Sequence, residues 1–418
     1  MLQKASSRAW LVWLGVSAFL FYKYVLQVYP GIIAPNLMAE FHLTGAGVGN
    51  LAAAFYYSYV VAQLFAGVML DKYSPRKLIS LALALCALGL CVFALTDTFA
   101  MAFTARILMG IGVSFATVGY LKMTSLWFPA KQFAFVGSLL ATAAMLGAVF
   151  GQGPLALLIS HVGWHTALLL VGVLGLLLAA YFYIVSNAKH NHLYSAEHVA
   201  ASFNWSDVLA VLKKKQNWYI ACYGGFVFSP IAVFGGLWGN EFLITAHHVS
   251  TNTAASLLSA MFLGLAVGAP VISLLATYFD NKKALMLISA IVSAASLAVV
   301  VYVPDLSVPV VAVLLVIFGF CSGAFMLGFA VAQELNALAV TATAVAFINT
   351  GEAIFSAVSD PLVGRLLDRG WDGVMVNGAP QFSLSNYHGA LAILIVYLGL
   401  ACVFMCLVKT KAFIGSNV

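Results

Sequence analysis

Among the ionisable side chains inside long apolar runs of this chain, Lys23, Arg106, Lys122, Glu334 and Glu352 stand out. Charges in such surroundings are costly, so each is a candidate for function or for pairing. Lys23 comes about thirteen residues after Trp10, or ~20 Å along a helix at the usual rise per residue. At that depth its ammonium does not easily reach the end of the run. Tyr22, Tyr24, Gln27 and Tyr29 surround it, and Gln27 shares its helix face at i+4. Such a lysine either pairs with an internal carboxylate or binds the anionic part of a small substrate. Arg106 lies about two turns into its run, where an arginine can pack by bonding to neighbouring carbonyls. Lys122, close to Tyr120, is near enough to the end of the same run to snorkel. Among the acids, Glu352 has Asn349 one turn before it and Ser356 one turn after, a polar stripe on one face. A buried carboxylate needs a proton or a cationic partner, which makes Glu352 the candidate coupling residue. Glu334, with Gln333 and Asn336, sits near the end of its run as a gate contact, and Asp360 is read as structural. Tyr56 and Tyr59 place two hydroxyls on one helix face, where they can line a cavity or simply pack. No Ser/His/Asp set, metal-ligand spacing or Gly-rich phosphate loop accompanies these residues. No catalytic residue, metal or cofactor is therefore expected, and the chain is not read as an enzyme.

The elements that must carry these residues are membrane helices. Of 418 residues, 63% are hydrophobic and only 8% charged, which excludes an ordinary soluble protein. Apolar runs long enough to span a bilayer recur about twelve times: 10–33, 48–70, 78–95, 99–127, 133–159, 166–185, 218–243, 253–277, 284–303, 308–338, 342–366 and 387–408. The first has no cleavage pattern after it and is expected to stay as a helix. One polar interval, residues 188–216, separates six spans from six, so the expected domains are 1–187, the linker 188–216 and 217–418. The linker holds His190, His192 and His198, read as solvated rather than metal-binding, and its Trp205–Leu212 stretch suits a short surface helix. The net charge of +6 is spread over loops, which argues against a nucleic-acid partner. With the N-terminus in the cytoplasm, nearly all lysines and arginines of the loops fall on that side, leaving only Arg365 and Arg369 opposite. Both termini are thus expected in the cytoplasm, the chain lying in a bacterial inner membrane. The six cysteines fall in apolar runs and are read as buried small residues.

The halves also look like copies. Pro154-Leu155 precedes Gly163-Trp164 at the spacing at which Pro361-Leu362 precedes Gly370-Trp371, and Glu40-Phe41 has its counterpart in Glu241-Phe242. Between the second and third runs stands Gly67-Val-Met-Leu-Asp71-Lys72-Tyr-Ser-Pro75-Arg76-Lys77, a tight charged turn, and residues 277–283 are its weakened echo. Pro75 suits the first turn of the following helix, Ser74 is placed to cap it, and Gly67 is placed to admit a close backbone.

This turn resembles the signature loop of the major facilitator superfamily, Gly-x-x-x-Asp-Arg/Lys-x-Gly-x-Arg-Arg/Lys, with Ser74 in place of the second glycine. Arg106-Ile-Leu-Met-Gly110-Ile-Gly112 matches the Arg-x-x-x-Gly-x-Gly pattern of the superfamily's fourth helix. Gly147-x-x-x-Gly151-x-Gly153-Pro154 is similar to its fifth-helix motif, without the closing glycine pair. The resemblance implies an all-α membrane protein of twelve transmembrane helices in two six-helix bundles, working by alternating access. It implies a gating role for Gly67, Asp71, Lys72, Arg76 and Lys77, with Asp71 expected to contact Arg76 and the positive end of a second-half helix. Lys122 and Glu334 join them as gating residues. Lys23, Gln27, Tyr56, Tyr59, Arg106, Asn349 and Glu352 are the expected substrate site. Its cations in the first half and carboxylate in the second suit an amino acid or short peptide, moved with protons by a monomer in the lipid bilayer. The alternative is an organic anion, with drug efflux or a non-transporting sensor as weaker readings.

Overall fold

The computed structural model describes residues 7–187, 205–279, 281–337 and 340–409. His190, His192, His198 and Asp280 lie outside the described residues, as does most of the linker. The first six spans are built from α1 (Ser7–Val28), α2 (Ala34–Glu40), α3 (Gly45–Lys72), α4 (Pro75–Leu95), α5 (Phe99–Trp127), α6 (Ala130–Phe150), α7 (Gly153–Val162) and α8 (Trp164–Val185). Then come α9 (Trp205–Lys213), α10 (Lys215–Val233), α11 (Gly239–His247), α12 (Thr251–Phe279), α13 (Lys282–Tyr302), α14 (Val308–Ser322), α15 (Met326–Leu335), α16 (Thr341–Gly370) and α17 (Leu384–Leu407). Between α16 and α17, β1 (Met375–Val376) and β2 (Ala379–Pro380) pair antiparallel. Their turn is Asn377-Gly378, both at positive φ, as a tight two-residue hairpin requires.

A chain this apolar folds into helices because lipid offers its peptide groups no hydrogen-bond partner. Among the described residues, 11 helical stretches are long and apolar enough to cross a membrane. The expected span not among them is the eleventh, α16, whose 30 residues suffice in length but whose Asn349, Glu352 and Asp360 dilute the apolar run. Four spans that the sequence suggests as continuous are interrupted. The first passes through a 3-10 turn at Tyr29–Gly31, where Pro30 lacks an N–H. The fifth breaks between α6 and α7, at Gly151 and Gln152. The seventh widens into a π-turn over Phe234–Trp238, just after Pro230, and the tenth tightens at Gly323–Phe325. The expected surface helix is present as α9, which buries Val211 and exposes Leu209.

Two compact units emerge, Met1–Gln27 with Ala54–Phe203 and Val28–Ala53 with Asn204–Val418. In the first, the Arg-x-x-x-Gly-x-Gly pattern has a direct packing use. A Cβ on Gly110 would run into the Phe55 carbonyl and the Ser58 hydroxyl of α3, and one on Gly112 into the Cys86 sulfur and Ala82 carbonyl of α4. Two hydrogens therefore let α5 lie backbone-close to a helix on either side. In the second unit α12 packs along α14, and α10 along α16 and α17. The six thiols are free, and of the six expected to be buried only Cys86 is: Cys91, Cys222, Cys321 and Cys402 are half-buried, and Cys406, next to the end of α17, is exposed.

Candidate functional site

In the first unit the candidate residues of α1, α3 and α5 converge. Lys23 is only 6% exposed. Its ammonium donates to the Tyr59 hydroxyl at 3.2 Å and to the Thr117 hydroxyl at 3.4 Å. It also lies 4.6 Å from the Tyr59 ring centroid and 5.3 Å from that of Tyr24. Ring faces and hydroxyl oxygens at these distances attract a cation without cancelling its charge. Gln27 and Tyr56 are buried nearby in sequence, and Tyr56 packs edge-on to Phe55 at 5.5 Å between centroids.

One turn along α1 and α3, and about three turns along α5, Arg106 makes a second node. It is 1% exposed, donates from Nη1 to the Leu26 carbonyl at 2.8 Å and stands 4.9 Å from the Phe55 ring centroid. Leu26 is one turn beyond Lys23, and Phe55 one turn before Tyr59. Arg106 therefore ties down the stretch of α1 that presents Lys23, an arrangement that matches the packing reading of this arginine. Thr117 is absent from the sequence-based set. Its signal was available, because eleven residues are almost whole turns of helix and place it on the face of Arg106.

In the second unit Glu352 is 5% exposed on α16. A Cβ added to Gly224 of α10 would lie 3.2 Å from its Oε1, so the carboxylate rests against a bare stretch of backbone. Ser356 is buried and turns its hydroxyl back to the Glu352 carbonyl at 3.0 Å, while Asn349 is half-buried on the same stripe. The stripe runs on further than the sequence suggested. Ser359 receives the Ser229 hydroxyl at 3.1 Å and donates to Tyr397 at 3.2 Å, and the Trp238 indole donates to the Asp360 carbonyl at 3.2 Å. The π-turn that ends in Trp238 is thereby tied to α16.

The signature loop departs from expectation in three ways. Ser74 occupies the cap position of α4 without a side-chain cap bond, Pro75 supplying the start of the helix instead. Among the described residues, a Cβ on Gly67 meets no atom within 4 Å, so they make no close approach there. Asp71 pairs with Lys122 of α5 at 2.7 Å rather than with Arg76. Arg76 instead donates to the Tyr183 carbonyl at 2.6 Å and covers the Tyr183 ring at 4.0 Å, because the start of α4 faces α8. Lys72 and Lys77 are exposed. Glu334 of α15 pairs with Lys282, the first residue of α13, at 2.7 Å. Each unit thus ties the fourth helix of its half to the turn between the second and third, with the signs of the charges exchanged. Among the described residues, no cluster of His, Cys, Asp and Glu could hold a metal ion.

Comparison with known proteins places this geometry. The family model described as Major Facilitator Superfamily matches residues 12–244. A protein of Cupriavidus necator named as a probable sulfoacetate transporter is 23% identical over 209 residues, 49% of this chain and 49% of that protein. An Escherichia coli protein named as a probable L-galactonate transporter is 27% identical over 163 residues, 39% of this chain and 36% of its own length. The chain therefore aligns with half or less of these relatives. A bacterial homologue of the human lysosomal transporter Spinster, solved inward-facing and unoccupied, superposes with a TM-score of 0.79 at 15% identity, covering 97% of this chain and 98% of that one. That likeness is one of fold. With the family model matching more than half of its residues, this chain belongs to the Major Facilitator Superfamily.

Proposed function

We propose that this transporter carries a small organic anion, with Lys23 as the residue that recognises the negative charge. The observation that carries this reading is the buried Lys23 ammonium, framed by the hydroxyls of Tyr59 and Thr117 and by two aromatic faces. An ammonium at such depth is expensive, and a transporter keeps one where it meets a counter-charge. The hydroxyls at its side are also the groups that a polyhydroxy or sulfonated acid can hydrogen-bond. Two relatives named for sulfoacetate and L-galactonate, both acids, support the same class. In this reading Arg106 positions α1, Tyr56 and Gln27 flank the site, and Glu352 takes up and releases the coupling proton. The chain works as a monomeric symporter of a bacterial inner membrane, with both termini in the cytoplasm and its six-plus-six division at residues 188–216.

A zwitterionic amino acid or short peptide is the second reading, favoured by the buried carboxylate of Glu352, which would then receive the amine. Uptake into proteoliposomes separates the two. Sulfoacetate, galactonate, a dipeptide, a neutral sugar and a nucleoside are offered in turn, with and without an inward proton gradient. Accumulation of an acid, enhanced by the gradient and absent for the neutral sugar, supports the anion reading. Accumulation of the dipeptide alone overturns it.

A further inference from the structure

The start of α3 is capped by a residue more than 300 positions away. The first four N–H groups of an α-helix lack partners within it. At α3, Gly45 N–H donates to Asp368 Oδ1 at 2.6 Å and Ala46 N–H to Asp368 Oδ2 at 2.8 Å, while Gly47 N–H uses the Thr44 hydroxyl at 3.2 Å. One carboxylate, from the last turn of α16, therefore straddles the positive end of a 28-residue helix. Beside it the two backbones touch. A Cβ on Gly49 would stand 2.6 Å from the Asp360 carbonyl oxygen and 2.7 Å from Pro361 Cα, and one on Gly364 would run into the Gly45 carbonyl. Gly45 and Gly49 form a Gly-x-x-x-Gly pair, the pattern that lets membrane helices cross closely. The hairpin of β1 and β2 lies over α2 here, and a Cβ on Gly378 would be 3.6 Å from that of Ala39. Beside this joint is a cavity of about 250 Å³, lined in part by Met38, Glu241, Gln381, Tyr387 and Phe382, whose ring a Cβ on Gly45 would meet at 3.1 Å.

We propose that the Asp368 carboxylate is the latch of this joint: it holds α16 closed on the first turn of α3, and its release widens the adjoining cavity. A crossing of small residues is held by many weak contacts with no preferred bond to break. The carboxylate adds two charge-assisted bonds made by one rigid group, which are lost together, so the joint switches between two states. Thr44 stays with α3 and keeps Gly47 capped when the latch parts. Arg365, exposed three residues before Asp368 on α16, is in place to receive the freed carboxylate. The latch is a positioning device, independent of which substrate is carried.

Met38 lines the cavity and is 2% exposed, so Met38→Cys reports its opening. The purified full-length protein in nanodiscs is treated with a polar maleimide, and the modification rate at position 38 is read by peptide mass spectrometry. Exposed Cys406 is the internal control. Asp368→Asn keeps the shape but loses the charge and one of the two bonds, and should label position 38 about five- to tenfold faster, with Cys406 unchanged. Gly364→Ala, which forces the crossing apart with the carboxylate intact, should also label faster. An unchanged rate in a folded Asp368→Asn protein overturns the proposal, as does an equal acceleration at Cys406. Should Asp368→Asn not fold, Asp368→Glu takes its place, since a longer stem cannot straddle both N–H groups. A rate at the level of the parent then overturns the latch.

Discussion

Two glycines from the superfamily motifs should respond to the same substitution with opposite signs. In a helix interior, Gly→Ala is worth ~0.5–1 kcal/mol of stability, because alanine has less backbone freedom to lose. At Gly67 no atom of the described residues stands within 4 Å of the new methyl, so the gain is kept. At Gly110 the methyl overlaps the Phe55 carbonyl and the Ser58 hydroxyl. The hydroxyl can rotate, but the carbonyl belongs to the backbone of α3 and moves only if the two helices separate. Overpacking of that kind costs ~1–3 kcal/mol, which outweighs the intrinsic gain. Gly110→Ala should therefore be destabilised by about 1–2 kcal/mol and Gly67→Ala stabilised by about 0.5–1 kcal/mol. The assay is thermal unfolding of each purified variant in the same detergent, followed by tryptophan fluorescence. A rise in melting temperature for Gly110→Ala, or a fall for Gly67→Ala, would refute the packing argument at that helix.

Other consequences follow from the charged pairs and the buried polar groups. The Asp71–Lys122 side chains are 29% and 23% exposed, so their coupling in a double-mutant cycle should be modest, ~0.2–1 kcal/mol. Transport should nevertheless fall in Asp71→Lys or Lys122→Asp alone and recover in the exchanged pair; no recovery would mean that Asp71 acts through another partner. Arg106→Lys keeps the charge but loses the planar fork that serves the Leu26 carbonyl and lies against Phe55. It should lower stability by ~1–3 kcal/mol and cannot be neutral if Arg106 holds α1 in place. Glu352→Gln, which mimics a permanently protonated acid, should abolish proton-driven accumulation while sparing exchange of substrate between the two sides. Accumulation driven by external acid in that variant would remove Glu352 from the coupling step.

Much of this was legible in the sequence, because membrane spans are written in composition. Helix α5 has the bounds Phe99–Trp127 expected of it, and the Pro75 start of α4 follows from proline chemistry alone. Breaks were harder to read. Pro30 and Pro230 signal a disturbance of the helix, but whether the chain answers with a 3-10 turn or a π-turn depends on what packs beside it. The buried charges stood out by rarity, so Lys23, Arg106 and Glu352 could be picked without a structure. Their partners Leu26 and Phe55 could not, being ordinary residues in apolar runs, and Thr117 is marked only by sharing the helix face of Arg106. Asp71 shows the same limit. A loop motif names the carboxylate, while the partner is set by how α5 lies against the loop: Lys122 of α5 takes it, and Arg76 bonds to the Tyr183 carbonyl. Asp368 was passed over because a carboxylate in a last helical turn is unremarkable until the start of α3 is found above it.

The central claim is that Lys23 recognises the negative charge of the substrate, and a matched pair of ligands tests it most directly. Galactonate and its neutral amide differ in the charge of one group and little else. Each is measured as a competitor for uptake, in the parent protein and in Lys23→Gln. A charge-assisted bond to a buried ammonium is worth ~1.5–3 kcal/mol, so the parent should prefer the acid by roughly ten- to a hundredfold. Lys23→Gln should lose that preference while binding the amide about as well as before. If the variant keeps the preference, or weakens both ligands equally, Lys23 supports the fold of the first unit and the charge is read elsewhere.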